Sequence, residues 1–265
     1  MIRAETETDW LLVTHPDHAD LAGQFADAWG NAQFAQPECY QPIRYAVYHH
    51  DDGWLKRDAA PHLTAQLKPE AFTKDLVGAY SAFEEIDLPA YLGVRAQATA
   101  DVAAVDPVAA VVVSMHTVNL LTEQADVASI RPEHRSAHRE FIAEQKAWQT
   151  STISAHGVDP AAMQRGFEFL QCCDNLSLIA CSGYGEARAL RHPQPDRTGK
   201  RHALRCEPTG PGSWRISPWP FATSAFTLTV PRRRIPKTAV TSLPSFRDCF
   251  GATEPEQVSL KFAAS

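Results

Sequence analysis

Four metal-ligand-type residues, widely separated in the sequence, occupy positions where a helix would normally bury an apolar side chain. They are His18, the adjacent pair His50 and Asp51, and Asp174. An unpaired carboxylate is costly to bury unless a cation or a hydrogen-bonded partner compensates for its charge. Imidazole is a common ligand of transition metals, and carboxylates add the negative charge that such ions require. The four residues together therefore predict a shared metal site.

The apolar residues around these positions recur at helical spacing. Most lie three, four or seven positions away from the polar side chain, which therefore shares the inward stripe of a predicted helix. The neighbours that define the stripes are Leu21, Ala22, Phe25 and Trp29 for His18, Ile43, Ala46 and Val47 for His50, and Phe167, Leu170, Leu178 and Cys181 for Asp174. The helix predicted over 43–51 ends at Gly53, so His50 and Asp51 lie together at its end.

A fifth candidate, His116, lies in an unusually apolar predicted helix. The pair Asp106-Pro107 indicates where this helix begins, because Asp is a good N-cap and Pro suits the first helical position. Apolar residues such as Val112 and Leu120 surround the imidazole at helical spacing, so it must face either the same cavity or another buried partner. We expect the cavity. There His116 is either a further ligand, for a second ion, or a donor that holds a carboxylate.

Other polar residues near these motifs have a structural interpretation beside a functional one. Asp52 either caps the end of the second helix or accepts a proton from metal-activated water, which makes it the candidate catalytic residue. His49 points away from the inward face, so we favour His50 as the ligand. Three further imidazoles could complete a two-metal site: His62, His134 and His138. His62 lies in a predicted loop, and the charged neighbours of His134 and His138 indicate a solvent-facing helix surface instead. The aromatic residues Trp54, Trp219 and Phe221 are expected to pack in the core or over the site.

The composition is that of an ordinary globular chain. Its 265 residues are 44% hydrophobic and 21% charged, which allows a sizeable core. The formal net charge of −6 disfavours general nucleic-acid binding. The acidic N-terminal segment lacks the features of a signal peptide, so we expect a cytoplasmic protein. The longest apolar run, 102–115, is too short to span a bilayer, and we expect no membrane association.

The distribution of prolines and of apolar periodicity predicts a mainly α protein with two parts. Residues 1–187 form a helical metal-binding domain, and residues 188–265 form a small antiparallel β unit packed on it. A short opening strand is predicted over 10–13. The first predicted helix starts at residues 14–17, where Thr14 can cap and Pro16 suits the first turn, and it continues to about residue 29. The other predicted helices span 43–51, 70–85, 89–104, about 107–120, 134–150 and 160–180. The predicted C-terminal strands span 203–207, 214–217, 226–230 and 258–262, with a hairpin turn at 210–212.

The order of the ligand-type residues resembles that of the HD-domain superfamily of metal-dependent phosphohydrolases and oxygenases. In that superfamily an early helix supplies a His, an adjacent His and Asp leave one helix end, and a late helix supplies an Asp. The resemblance implies that His18, His50, Asp51 and Asp174 are metal ligands in an HD-domain-like helical bundle. The cofactor that it implies is a divalent transition metal, iron or manganese, as one or two ions.

Five segments are also similar to an uncharacterised bacterial family, the domain-of-unknown-function family numbered 3891. These segments are Asp17–Gly23, His50–Trp54, Ser114–His116, Asp174–Leu178 and Pro218–Phe221. They extend over most of the chain, so the resemblance concerns nearly the whole sequence. The family carries no assigned reaction and therefore implies none.

Three functions stay open at this point. The favoured one is hydrolysis of a phosphoester in a small-molecule substrate by metal-activated water, although the sequence contains no glycine-rich phosphate loop and identifies no substrate-binding residues. The second is a non-haem diiron oxygenase of the HD type, which needs His116 together with one of the other imidazoles. The third is a non-catalytic, metal-stabilised binding module. An intact set of four ligand-type residues favours an enzyme over a non-catalytic binding module.

Overall fold

The computed structural model describes residues 1–77 and 87–265. The helices are α1 (His15–Ala28), α2 (Tyr40–His49), α3 (Leu55–Ala59), α4 (Leu88–Ala103), α5 (Pro107–Thr122), α6 (Arg135–His156), α7 (Pro160–Ser182) and α8 (Leu243–Ala252). Short 3-10 helices span Asp52–Trp54, Lys74–Leu76, Val127–Ser129, Pro132–His134 and Lys237–Ala239. The strands are β1 (Ile2–Glu5), β2 (Asp9–Val13), β3 (Phe72–Thr73), β4 (Arg188–Ala189), β5 (Gln194–Pro195), β6 (Arg201–His202), β7 (Arg205–Gly210), β8 (Ser213–Ser217), β9 (Ala225–Pro236) and β10 (Glu256–Ala264).

An eight-stranded sheet connects the two ends of the chain. Its strand order is β3-β1-β2-β9-β10-β8-β7-β4, and β5 pairs separately with β6. The long strand β9 pairs antiparallel with β10 along its first part and with β2 along its last four residues. The sheet therefore contains strands from both sides of the predicted boundary between residues 187 and 188.

The expectation of a mainly α, HD-domain-like helical bundle with only a small C-terminal β unit is wrong. Helices make up 51% of the described structure and strands 21%. The sheet is large, and it includes the N-terminal strands β1 and β2 as well as the C-terminal ones. Most strands are short or carry charged residues. The alternating pattern within one segment therefore does not show that distant strands join a single large sheet. The segment Arg232–Arg234, for example, is typical of a solvated strand end, but it lies within β9 and pairs with neighbouring strands. Pairing between distant segments is not encoded in local periodicity.

Two predicted helix starts, those of α1 and α5, are confirmed by their caps. The side chain of Thr14 accepts a hydrogen bond from the backbone N–H of Asp17, and Asp106 accepts two from the first turn of α5. Caps of this kind stabilise a helix by about 1 kcal/mol. They also fix where each helix begins, and thus the rotation that turns His18 and His116 towards the interior.

One predicted helix, over 70–85, is wrong in its described part. Residues 72–76 form β3 and a short 3-10 helix instead, and β3 adds to the edge of the sheet by parallel pairing with β1. The remainder of that prediction, from residue 78 onwards, lies outside the described residues.

The main core lies between the helices and the sheet. Helices α1, α2, α5 and α7 pack against one another, and α1 also packs on β9. An aromatic cluster built around Phe25 closes this core on the sheet side, and its other rings are Phe221, Phe226 and Phe262. Within the described ranges, no helix combines the length and the apolar character needed to cross a membrane.

Candidate metal centre

Five predicted site residues come together from four parts of the fold. His18 lies in the first turn of α1, His50 and Asp51 follow α2, His116 lies in α5, and Asp174 lies in α7. Each of them is at most 5% exposed. Four of the five line a cavity of about 170 Å³, and His50 packs directly against them.

The donor atoms of these residues are close enough to share an ion. His18 Nε2 lies 3.0 Å from Asp51 Oδ2 and 3.8 Å from Asp174 Oδ1. His50 Nε2 lies 3.5 Å from Asp174 Oδ1 and 3.9 Å from Asp51 Oδ2. Donor atoms of His50, Asp51 and His116 also fall within 4.8 Å of one another. Two ligands at right angles, each about 2.1 Å from one ion, are about 3 Å apart, so these separations suit a shared ion after small adjustments.

The three imidazoles are oriented in the same way. Each uses Nδ1 for a hydrogen bond to a protein oxygen, which leaves Nε2 as the atom that points to the shared centre. The acceptors are Ser177 Oγ for His18, the backbone carbonyl of Val47 for His50, and Gln171 Oε1 for His116. Histidine ligands are usually held this way, because a hydrogen bond at one ring nitrogen fixes the tautomer and aims the other.

The direction of these hydrogen bonds follows from the partners. The Ser177 hydroxyl donates its hydrogen to the backbone carbonyl of Asp174, at 2.8 Å, so it can only accept from His18. A carbonyl oxygen such as that of Val47 also accepts only. Nδ1 therefore carries the hydrogen in His18 and His50.

His116 is held by a chain of amides. Its Nδ1 donates to Gln171 Oε1 at 2.9 Å, and Gln171 Nε2 donates to Asn119 Oδ1 at 2.6 Å. Gln171 has no exposed surface. Burial lowers the pKa of His116 to about 3, so at neutral pH its Nε2 is an unprotonated electron-pair donor.

His50 carries the clearest sign that a cation belongs at this centre. Its Nε2 is fully buried and makes no hydrogen bond with any described residue. Burial by itself would lower the pKa of His50, but Asp51 and Asp174 outweigh burial and raise it to about 9. The pair of carboxylates therefore attracts positive charge at the position where a metal ion would bind.

Arg95 compensates for one of the two carboxylates. Its Nη1 donates to Asp51 Oδ1 at 2.5 Å, and both side chains are buried. The guanidinium also lies over the rings of Trp54 and Tyr91. Burial would raise the pKa of Asp51, but Arg95 and His50 outweigh it and hold the pKa well below its usual value. Asp51 is therefore ionised, with Oδ2 directed towards His18.

Asp174 has no arginine partner among the described residues, so the imidazoles compensate for its charge. Burial would raise the pKa of Asp174, but its contact with His50 and the charges of His50 and nearby imidazoles lower it. The carboxylate is therefore ionised inside the core. It is the group most in need of a cation at this centre.

The other predicted candidates lie elsewhere or have other partners. Asp52 pairs with His49 Nδ1 at 2.7 Å and does not line the cavity, so its predicted catalytic role gains no support from its position. His138 Nε2 contacts the backbone carbonyl of Leu121 at 2.9 Å, and His134 lies near Asp87. Of the three additional imidazoles, His62, His134 and His138, only His62 lines the cavity. Of the aromatic candidates, Trp54 lines the cavity, whereas Phe221 belongs to the aromatic cluster of the core and Trp219 packs on that cluster.

Residues that hold the ligands were missed by sequence reasoning. Arg95 shares an inward stripe with Leu88, Leu92 and Val102, so the test that identified the histidines would also have found it. Gln171 and Ser177 precede and follow Asp174 by three positions, on the buried side of α7. Their roles depend on which residue of another helix they face, and helical spacing does not specify that.

Comparison with known proteins identifies the family but no activity. The family model described as "Protein of unknown function (DUF3891)" matches residues 1–237. Searches of curated proteins and of solved structures found no match. Because the family model covers most of the sequence, the chain belongs to the DUF3891 family.

Proposed function

We propose that this chain is a metal-dependent enzyme that hydrolyses a phosphoester in a small molecule. The observation that carries the proposal is the convergence of three imidazole Nε2 atoms and two ionised carboxylates at one buried centre beside the cavity. His18, His50, Asp51, His116 and Asp174 would hold a divalent transition metal, with iron and manganese suited to this mixed nitrogen and oxygen donor set. A protein with no use for a cation would gain stability by replacing such a cluster with apolar side chains.

A divalent ion held there would lower the pKa of water towards neutrality and polarise a phosphoryl oxygen. The chain's own residues prepare the site for that chemistry. Asp51 and Asp174 balance the charge of the ion, and Arg95 keeps Asp51 ionised and in place. The buried position of all the donors keeps their electrostatic interactions strong, because the surroundings screen charge less than bulk water does.

The size of the cavity supports a small substrate. Its volume of about 170 Å³ is below the range of about 300–1,000 Å³ that holds drug-sized ligands. The cavity lining includes apolar side chains as well as Trp54 and Tyr91. These residues would exclude bulk water from the reacting group when the substrate is bound.

A diiron oxygenase is the second candidate, and His116 is the observation that favours it. Donor atoms group as His18, His50 and Asp174 and again as His50, Asp51 and His116. The two groups share His50, whose single free nitrogen binds one ion. Two ions would therefore need carboxylate bridges or a further ligand such as His62. A non-catalytic binding module is the third candidate.

The proposal is tested by purifying the full chain without oxygen and measuring its metal content, followed by hydrolysis of p-nitrophenyl phosphate with added Mn²⁺. We expect about one ion per chain and metal-dependent hydrolysis. His50→Gln should abolish both, whereas His49→Gln, which changes the neighbouring half-exposed imidazole, should leave both unchanged. Two irons per chain with no phosphatase activity would favour the oxygenase instead. Bound metal without turnover on a broad phosphoester panel would favour the binding module.

A further inference from the structure

The cavity has a second polar region, formed by Arg57, His62 and Glu70, which we call the outer polar group. We propose that the outer polar group binds a second anionic group of the substrate, so that the substrate is a small organic dianion held at both ends. This inference rests on the proposed function, because it assumes that the first anionic group is the phosphoester at the metal centre. The sequence indicates His62 only as a candidate further metal ligand and predicts no role for Arg57 or Glu70.

The outer polar group is separated from the metal centre along one wall of the cavity. The ring of His15 lies 6.3 Å from that of His18, and His15 Nδ1 in turn contacts Asp58 at 3.0 Å. Arg57 is the neighbour of Asp58 in the short helix α3. A substrate that touches both the donors and Arg57 therefore spans the cavity.

Arg57 has capacity for an anion. Its Nη2 donates to Glu70 Oε2 at 2.7 Å, and no other hydrogen bond of its guanidinium is formed with the described residues. A guanidinium has five N–H donors arranged in a planar fork that fits a carboxylate or phosphate. The single contact with Glu70 orients the group and leaves donors for a ligand.

His62 adds a neutral polar group beside Arg57. Its imidazole is half-buried, lines the cavity, and makes no hydrogen bond within residues 1–77 and 87–265. Burial, reinforced by the charges of Arg57 and Arg247, lowers the pKa of His62, so the ring is neutral and can donate one hydrogen bond. Arg247 also fixes the loop that carries His62, because it donates to the backbone carbonyls of Ala60 and Pro61.

The other charged groups along the wall already have partners. Asp58 accepts from the backbone N–H of His15 and contacts the amino group of Met1, and Asp51 accepts from Arg95. The outer polar group is thus where N–H donors remain available to a ligand. The cavity lining also includes the apolar side chains of Ile2, Phe72, Leu76 and Leu178. That arrangement suits a short hydrocarbon body with an anionic group at each end.

The test compares two phosphonates, which cannot be hydrolysed, by calorimetric titration into the full chain loaded with Mn²⁺. The probes are 3-phosphonopropionate, which has a carboxylate end beside its phosphonate, and propylphosphonate, which has a methyl end. We expect the wild type to bind 3-phosphonopropionate about tenfold more tightly, as one charge-assisted hydrogen-bonded contact predicts. Arg57→Gln should remove this preference and leave the affinity for propylphosphonate within about twofold.

Arg232→Gln is the matched control, because Arg232 is exposed to a similar extent, 23% against 26%, and also pairs with a glutamate but lies outside the cavity. It should bind both phosphonates as the wild type does. His62→Ala is a second variant, which leaves the Arg57 contact with Glu70 intact. It should weaken the binding of 3-phosphonopropionate but not that of propylphosphonate. Thermal melts of each variant identify any that fail to fold.

Three results would overturn the inference. The wild type could bind both phosphonates equally, or Arg57→Gln could weaken both by the same factor, which would mean that Arg57 only supports the structure. In either case the proposed phosphoester chemistry would stand. If neither phosphonate binds the Mn²⁺-loaded chain, the inference and the proposed phosphoesterase function both fail.

Discussion

Gln171 binds His116 through its carbonyl oxygen and binds Asn119 through its amide nitrogen, so one buried side chain fixes both the tautomer and the direction of an imidazole at the candidate metal centre. The acceptor at Nδ1 is what leaves Nε2 of His116 free to bind an ion. Removing a partner of this kind typically lowers metal affinity by about 10–100-fold. Gln171 therefore provides a direct test of whether His116 is a ligand.

Gln171→Leu is expected to lower the affinity for Co²⁺ by about 10–100-fold and to change the visible absorption spectrum of the Co²⁺-loaded protein. Gln171→Glu keeps an acceptor for His116 and should restore most of the affinity. Gln149→Leu is the control. Gln149 donates a hydrogen bond to Ser114, which lies in α5 with His116, but it makes no hydrogen bond to the imidazole. An unchanged spectrum in Gln171→Leu would show that His116 does not contact the ion.

Asp174→Ala should abolish metal binding while the protein stays folded. The substitution removes a ligand and part of the negative charge that stabilises protonated His50, but it also removes a buried charge that needs compensation. Without metal, the melting temperatures of wild type and variant should therefore converge as the pH rises to about 9 and His50 loses its proton. Only the wild type should gain stability when Mn²⁺ is added. Asp20→Ala, which removes an exposed carboxylate in α1, should respond to Mn²⁺ like the wild type. Stoichiometric metal binding by Asp174→Ala would make Asp174 a structural carboxylate.

The convergence of His18, His50 and Asp174 could be predicted because each residue breaks the apolar stripe of its own helix. A buried polar residue is a local signal, visible without knowledge of the partner. Whether these residues bind metal stays a prediction, although buried groups that could hold an ion are present. The side chains that orient them could not be predicted, because Gln171 and Ser177 act across helix contacts that periodicity does not specify.

The fold is harder to predict than the site. The strand expected over 10–13 is present, but its partner β9 lies more than 200 residues away in sequence. Strand β1 is short and ends in a charged residue, so alternation alone gives it little weight. Its place in the sheet is set by pairing with β2 and β3 rather than by its own composition. Helices are easier to identify because their caps and apolar stripes lie within one segment.

The stability of the metal-free protein should fall as pH rises from about 6.5 to about 9. The folded protein holds the pKa of His50 at about 9, above the ordinary value of 6.5, so the protonated imidazole stabilises the fold fully below pH 6.5. That contribution, on the order of 3 kcal/mol, is lost as His50 deprotonates in the folded state. Urea unfolding of metal-free wild type and His50→Gln across this range measures it. A variant with the same pH dependence as the wild type would assign the effect to another group.

Metal binding should show the opposite dependence, because a proton and an ion compete for Nε2 of His50. Below pH 9 the apparent affinity for Mn²⁺ should rise with pH by up to about tenfold per unit. Calorimetry at pH 7.5 in two buffers with different ionisation enthalpies should detect the release of about one proton per ion bound. Binding without proton release would mean that the ion does not use His50.

Gly53→Ala should displace the metal centre, because the turn after Asp51 packs directly on the backbone of α4. A Cβ atom at Gly53 would lie 2.3 Å from the carbonyl oxygen of Val94 and 2.9 Å from the backbone nitrogen of Ala98, so the two elements must move apart. We expect a loss of about 1–3 kcal/mol in stability and weaker Mn²⁺ binding, since Arg95 in α4 holds Asp51. Gly93→Ala is the control in α4, because a Cβ atom at Gly93 would have no atom within 4 Å. This variant should be more stable than the wild type by about 0.5–1 kcal/mol. Urea unfolding and Mn²⁺ titration of both variants check this, and unchanged Mn²⁺ affinity in Gly53→Ala would show that the position of α4 does not determine that of Asp51.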